Sequence, residues 1–216
     1  EDGELVGFEA LARWRHPRRG RLEPGRFIPI AEESGVILPL GQWVLEEACR
    51  TMAEWRAEHP SRQRLKVAVN ISARQFAQPG LVESVADILK ATGLPPRALS
   101  LEVTETAIMG NAESAVDKLT RLKSLGVGVA IDDFGTGYSS MSYLQRFPLD
   151  ILKIDLSFVS RMDVSQESLE IVRMIINLAH TLKISVVAEG VEKDVQGMIL
   201  SSMGCEFAQG FHFSRP

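Results

Sequence analysis

Short apolar runs rich in Val, Ile and Leu alternate along the chain with longer stretches whose apolar residues recur every three or four positions. Compact apolar runs predict strands, and the longer period predicts amphipathic helices. Seven strands are expected: Leu5–Leu11, Lys66–Ile71, Leu99–Val103, Val127–Ile131, Ile151–Ile154, Ser185–Ala188 and Glu206–Ala208. Helices are expected over Leu40–Trp55, Leu81–Thr92, Ala112–Leu125 and Ser168–Leu182, among others, with Gly126 as a helix stop. Alternation of this kind produces an α/β fold with a parallel sheet and crossover helices. Seven such units point to a (β/α)8 TIM-like barrel with one strand missing; a doubly wound open sheet is the alternative. Asp2-Gly3 is a hairpin turn signal, so the chain is expected to begin just after a strand that would pair with Leu5–Leu11. No Pro- or Ser-rich linker interrupts residues 1–216, which are read as one domain.

Composition narrows the class. The 216 residues are 45% hydrophobic and 24% charged, as in soluble globular proteins. No apolar run reaches the roughly 18–20 residues of a membrane span, and "EDGELVG" lacks the features of a secretion signal. The domain is therefore expected to be soluble, cytoplasmic and free of membrane contact, although its parent protein can be tethered. Cys49 and Cys205 have neither CxxC nor metal spacing and are read as buried thiols. A formal net charge of −4 argues against coating a nucleic-acid polymer. It leaves room for a small phosphorylated ligand in a local basic or metal-containing pocket.

The ends of the expected strands carry the chemistry. Reading along the chain they are Glu9 with Leu11, Asn70, Glu102, Asp132 with Asp133, Lys153, Glu189 and Gln209. In a barrel such ends converge on one mouth, where active sites lie. Five of these side chains are carboxylates. Two like charges about 4 Å apart repel by roughly 1 kcal/mol in water and about 4 kcal/mol at an effective dielectric near 20. Crowding them either forces protonation or recruits cations. Carboxylates with one amide oxygen form a hard donor set suited to Mg²⁺ or Mn²⁺ rather than zinc. The doublet Asp132 and Asp133 can serve two ions, one carboxylate bridging both. Two divalent ions about 3.5–4 Å apart are a template for in-line displacement at phosphorus. Lys153 can hold the attacking water and neutralise oxygen charge. Taken singly, a carboxylate at a strand end also serves as a helix N-cap, and an inward lysine also serves as a buried ion-pair partner. The recurrence at every strand favours a site.

The ordered set "EALAR", "FIPIAEESG", "VNISARQF", "LEVTET", "IDDFGTGYSS", "LKIDLSFV", "VVAEGVE" and "QGFHFSRP" covers nearly the whole chain. In it the sequence resembles the EAL family of cyclic di-GMP phosphodiesterases, named for the tripeptide present as Glu9-Ala10-Leu11. The resemblance implies a TIM-like barrel that hydrolyses one phosphodiester of cyclic di-GMP to linear 5'-pGpG with two Mg²⁺ or Mn²⁺ ions. By motif position Glu9, Asn70, Glu102 and Asp132 would hold one ion; Asp132, Asp133 and Glu189 would hold the other. Lys153 and Glu189, with Glu9, take the catalytic roles, the first two orienting or deprotonating water. Leu11, Arg13, Asp133 and Gln209 are implied substrate contacts, Arg13 as a phosphate-binding guanidinium. Glu105 resembles the family's anchor for the "DFGTGYSS" loop, whose glycines would leave it mobile without a nearby acceptor. The same loop takes part in dimer contacts in this family, so a homodimer is implied, as is attachment to regulatory or sensory domains of a bacterial signalling protein. Family members normally start with a helix and an antiparallel first strand and continue with a helix after "FSRP". The chain is thus expected to be truncated at both.

Some family members bind cyclic di-GMP without cleaving it, having lost ligand residues; no such loss occurs at these positions. The alternative reading is a catalytically inactive cyclic di-GMP receptor, and a dimerisation scaffold is a third. The basic run Arg13–Arg21 is read, beyond Arg13, as a solvated loop, because no interleaved aromatics offer the stacking of single-strand binding. His16, His59, His180 and His212 lack ligand spacing and are read as structural or surface residues. The resemblance alone implies that Phe27 and Pro29 would flank a guanine site.

Overall fold

The computed structural model describes residues 3–59, 63–137 and 141–215. They divide into two compact units, one of Gly3–Val103 with Arg121–Gly128, the other of Thr104–Thr120 with the chain from Val129 onward. Asp2 of the expected turn lies outside the described residues; Gly3 takes a left-handed φ of 63°. Among the described residues no helix is long and apolar enough to cross a membrane.

The first unit runs β1 (Gly7–Ala10), β2 (Trp14–His16), β3 (Gly20–Leu22), α1 (Pro24–Ser34), α2 (Ile37–Glu58), β4 (Lys66–Ile71), α3 (Ala73–Ala77), α4 (Leu81–Thr92) and β5 (Leu99–Thr104), whose last residue marks the boundary. β4 pairs in parallel with β1 on one side and β5 on the other. Helix α2 buries the stripe Ile37, Gly41, Leu45, Ala48, Cys49 and Met52, packing on β4 and α4. Each fully buried aliphatic side chain there contributes about 1.5–3 kcal/mol. The helix starts before the expected Leu40 because Pro39 falls in its first turn, where the missing N–H has no intrahelical acceptor anyway.

The second unit contains α5 (Glu105–Met109), most of α6 (Ala112–Ser124) and β6 (Gly128–Phe134), then α7 (Met141–Leu144), β7 (Ile151–Ile154), α8 (Leu156–Val159), α9 (Gln166–Leu182), β8 (Ser185–Ala188), α10 (Asp194–Ser202) and β9 (Phe207–Ala208). β6, β7, β8 and β9 pair in that order, all parallel. Val172, Ile175, Ile176 and Ala179 form the buried face of α9, which packs on β7 and β8.

All seven expected strands are present, three with the same bounds, and the differences have local causes. β6 runs on to Phe134 through a bulge described below. β9 is only two residues long because a side chain takes the place of a backbone partner: Glu206 Oε2 accepts the Val186 N–H at 2.9 Å. The basic stretch is not a loop but the hairpin β2–β3, with Arg15 opposite Arg21. Its turn closes at Gly20, φ 70°, and the ring of Trp14 meets Phe27 edge-on at 6.1 Å. Cys49 is buried as expected, whereas Cys205, at the short β9, is half-buried. Burial pushes both thiols up to about 12. His180 lies 3.1 Å from Glu206 and His212 lies 3.4 Å from Asp194.

The chain after β9 returns across the loop after β8. Gln209 N–H donates to Ala188 O at 2.9 Å, Val191 N–H to Gln209 O at 3.0 Å and His212 N–H to Val191 O at 3.0 Å. A Cβ on Gly210 would stand 2.2 Å from Val191 O and 2.4 Å from its N. Backbone cannot yield as a flexible side chain would. Gly210→Ala is therefore expected to destabilise the protein by about 2 kcal/mol or more, lowering Tm by roughly 4–8 °C; an unchanged thermal melt would show that the return segment shifts freely.

Candidate functional site

Neighbouring residues of a regular strand point to opposite faces, yet Asp132 and Asp133 act on the same side. The pairing of β6 with β7 explains how. Ile131 is opposite Leu152 but Phe134 is opposite Ile154, so β6 carries one extra residue at the doublet. A bulge of this kind re-aims a side chain. Asp133 completes it with φ 53°, a left-handed conformation that Asp tolerates better than most residues. Its N–H donates to Asp132 Oδ1 at 3.1 Å.

Lys153, in the middle of β7, is 1% exposed. Its Nζ lies 3.1 Å from Asp132 Oδ1 and 2.6 Å from Glu189 Oε1, at the residue following β8. Carboxylate oxygens of Asp132, Asp133 and Glu189 all fall within 4.8 Å of one another. One ammonium among three carboxylates leaves an excess of negative charge. Asp133, in that setting, has its pKa raised to about 6. Burial is the main cause, followed by the charges of Asp132 and Asp155 and a hydrogen bond with Asp155, with Lys153 opposing. The donors are hard oxygens from three separate backbone positions. They fit Mg²⁺ or Mn²⁺ by donor type, and a cation there offsets the excess.

Glu105, the first residue of α5, is buried and accepts the Gly135 N–H on Oε2 at 3.2 Å. Among the described residues its Oε1 has no hydrogen-bond partner. The turn after the doublet fits closely around this carboxylate: a Cβ on Gly137 would be 2.7 Å from Oε1, and Gly135 has φ 97°. Tyr138, Ser139 and Ser140 of the same motif lie outside the described residues.

In the other unit Glu9, Asn70 and Glu102 sit on consecutive neighbouring strands. Asn70 Nδ2 donates to Glu9 Oε1 at 2.7 Å, and Asn70 is directly opposite Glu102. Glu102 is buried and is not a helix cap, because Thr104 caps α5 by accepting the Ala107 N–H. Arg13 is mostly buried, with Nε 2.9 Å from Glu23 Oε2. Leu11 is exposed. Gln209, in the second unit, is exposed directly after β9.

Asp155 escaped the sequence reading. It caps α8, accepting the Ser157 N–H at 3.0 Å, and its charge, behind burial and Asp132, helps to raise the pKa of Asp133. The signal available was the pattern of an acidic residue two positions beyond an inward lysine, which reads equally well as an ordinary cap.

Comparison with known proteins follows the same outline. The EAL domain family model matches residues 1–216. The cyclic di-GMP phosphodiesterase NbdA of Pseudomonas aeruginosa is 48% identical over 216 residues, all of this chain and 27% of its own length. The bifunctional diguanylate cyclase/cyclic di-GMP phosphodiesterase MucR of the same organism is 45% identical over 215 residues, 100% of this chain and 31% of its own. This chain thus spans about a quarter to a third of those relatives. A solved structure of the PaMucR phosphodiesterase in complex with c-di-GMP superimposes with a TM-score of 0.95 at 45% identity, covering 99% of this chain and 85% of that one. The fold is therefore the α/β, TIM-like fold of that structure. The chain belongs to the EAL domain family, whose members include cyclic di-GMP phosphodiesterases.

Proposed function

We propose that this chain hydrolyses one phosphodiester of cyclic di-GMP to linear 5'-pGpG with two bound Mg²⁺ or Mn²⁺ ions. The observation that carries the reading is the bulged Asp132-Asp133 doublet beside buried Lys153 and Glu189. The similarity to MucR and NbdA, and the c-di-GMP held by the PaMucR structure, supply the substrate class. Glu9, Asn70, Glu102 and Asp132 would hold one ion, and Asp132, Asp133 and Glu189 the other. Such a pair supplies Lewis-acid stabilisation of phosphoryl oxygens and a lowered pKa for the attacking water.

The chain's own residues do the remainder. Asn70, with Nδ2 given to Glu9, offers Oδ1 as a neutral acceptor. Lys153, an ammonium between two carboxylates, donates to water but cannot take its proton. That proton goes to a carboxylate, in this reading Glu189, with Glu9 as a further catalytic group. Arg13, Leu11, Asp133 and Gln209 contact the substrate. Glu105 anchors the turn that follows the doublet through Gly135. A homodimer, a cytoplasmic location and attached regulatory domains complete the proposal.

The test is incubation with cyclic di-GMP and Mg²⁺ or Mn²⁺, with and without chelator. Metal-dependent appearance of 5'-pGpG is expected. Tight binding without turnover would make the chain a receptor, and neither binding nor turnover would overturn both readings. Asp132→Asn should lower kcat more than the roughly 10- to 100-fold typical of losing a group that merely orients a metal ligand, with a smaller effect on substrate affinity. Equal turnover would exclude the bridging role.

The raised pKa of Asp133 gives a third expectation. A carboxylate that holds its proton more tightly when folded contributes stability that is fully present below its ordinary value of 3.8 and is lost as pH rises through about 6. Holding a cation requires release of that proton. Stabilisation by Mn²⁺, read as the shift in Tm against a chelated sample, should therefore grow between about pH 5 and about pH 7. A shift constant across that window would remove Asp133 from the ligand set.

A further inference from the structure

Gln196 sits in the first turn of α10 and is 1% exposed. Both ends of its amide are occupied. Oε1 accepts the N–H of Glu192 at 2.9 Å and of Lys193 at 3.0 Å. Nε2 faces the carbonyls of Val159 at 3.3 Å and Ser160 at 3.4 Å. Reaching back to the N-cap N–H is ordinary helix capping, which needs only the acceptor half. The donor half has no part in capping α10. It ties that helix start to the end of α8, the helix that follows Lys153-bearing β7.

The loop between β8 and α10 carries Glu189. Its N–H donates to Ile154 O at 3.2 Å. Gly190, φ 69°, lies so close to Leu156 that a Cβ would be 2.7 Å from that residue's Cβ. Val191 is fully buried and held by the backbone of Gln209 and His212. Glu192 and Lys193 complete the run through Gln196. The Gln196 amide is the tie that one side-chain change removes while leaving the backbone pairing intact. We infer that Gln196 is a positioning residue, holding the Glu189 loop to the end of α8 so that Glu189 stays against Lys153. The inference rests on the catalytic and ligand role proposed above for Glu189.

Two substitutions separate the tie from the cap. Gln196→Met keeps the length and removes all four contacts. Gln196→Glu keeps oxygens for Glu192 and Lys193 but brings a carboxylate to the carbonyls of Val159 and Ser160. Both are expected to lower kcat about tenfold or more, with KM within about twofold. Both should also weaken Mn²⁺ affinity about tenfold by calorimetry. Lys193→Met, which removes the neighbouring Lys193–Asp163 bridge, should leave kcat near that of the parent. By hydrogen exchange, the Glu192 and Lys193 amides of the parent should be protected, and in Gln196→Met they should exchange about tenfold or more faster, with Val186 unchanged. Parent turnover in Gln196→Glu would reduce Gln196 to a cap. A folded Gln196→Met with kcat, Mn²⁺ affinity and exchange all within about twofold of parent would overturn the inference. Should Gln196→Met not fold, Gln196→Glu, which keeps the acceptor for the cap, decides: kcat and Mn²⁺ affinity both within about twofold of parent would overturn the inference, and a loss of about tenfold in both would support it. An inactive parent would refute the phosphodiesterase reading, and the Mn²⁺ and exchange arms would still decide the role of Gln196.

Discussion

The buried ammonium of Lys153 sets the terms for everything around it. Removing an ammonium from water costs several kcal/mol unless well-placed partners restore its interactions. Asp132 at 3.1 Å and Glu189 at 2.6 Å provide that compensation. They come from strands on either side of β7, so β6 must deliver Asp132 and the chain after β8 must deliver Glu189 at matching depth. Losing either partner would leave the buried charge less well compensated, a costly change. The glycines at 190 and 210 follow from this need, since close backbone approach holds the Glu189 loop in place.

Asp133 goes beyond what the lysine needs. Burial first, and then the neighbouring charges of Asp132 and Asp155, raise its pKa, so keeping it ionised weakens the protein. Backbone strain adds to this, because a non-glycine residue at φ 53° in a bulge is uncommon. Folding stability alone would favour a neutral residue here. The fold instead carries the excess charge, anchors the next turn on buried Glu105 through Gly135, and leaves three carboxylates close enough together that they could hold a cation.

Much of this is readable in the sequence. Val-, Ile- and Leu-rich runs located β4, β5, β6, β7 and β8, because buried strands leave a near-continuous apolar signal, whereas half-buried β1 and the two-residue β9 left only short ones. The polar residue at each strand end marked the doublet, Lys153 and Glu189. What stayed hidden depends on distances between segments. Nothing in "IDDFG" announces an extra residue against β7, because bulges are set by pairing with the neighbouring strand. The hairpin β2–β3 was concealed by its arginines, which obscure the alternation of its strands. Gln196 looks like any polar residue near a helix start, and only its contact with α8 shows that it does more than cap.

The other unit solves the crowding problem differently. Glu9 and Glu102 flank Asn70, which donates to Glu9 at 2.7 Å and lies opposite Glu102. A carboxylate at position 70 would meet negative charge on both sides, at roughly 4 kcal/mol per pair about 4 Å apart at an effective dielectric near 20. The amide avoids that repulsion, spends its donor on Glu9 and keeps an oxygen of nearly carboxylate hardness for a cation. One cluster therefore limits its charge with an amide and the other with a lysine. Each cluster, within its own unit, thereby keeps side chains with hard oxygen atoms close together at less electrostatic cost.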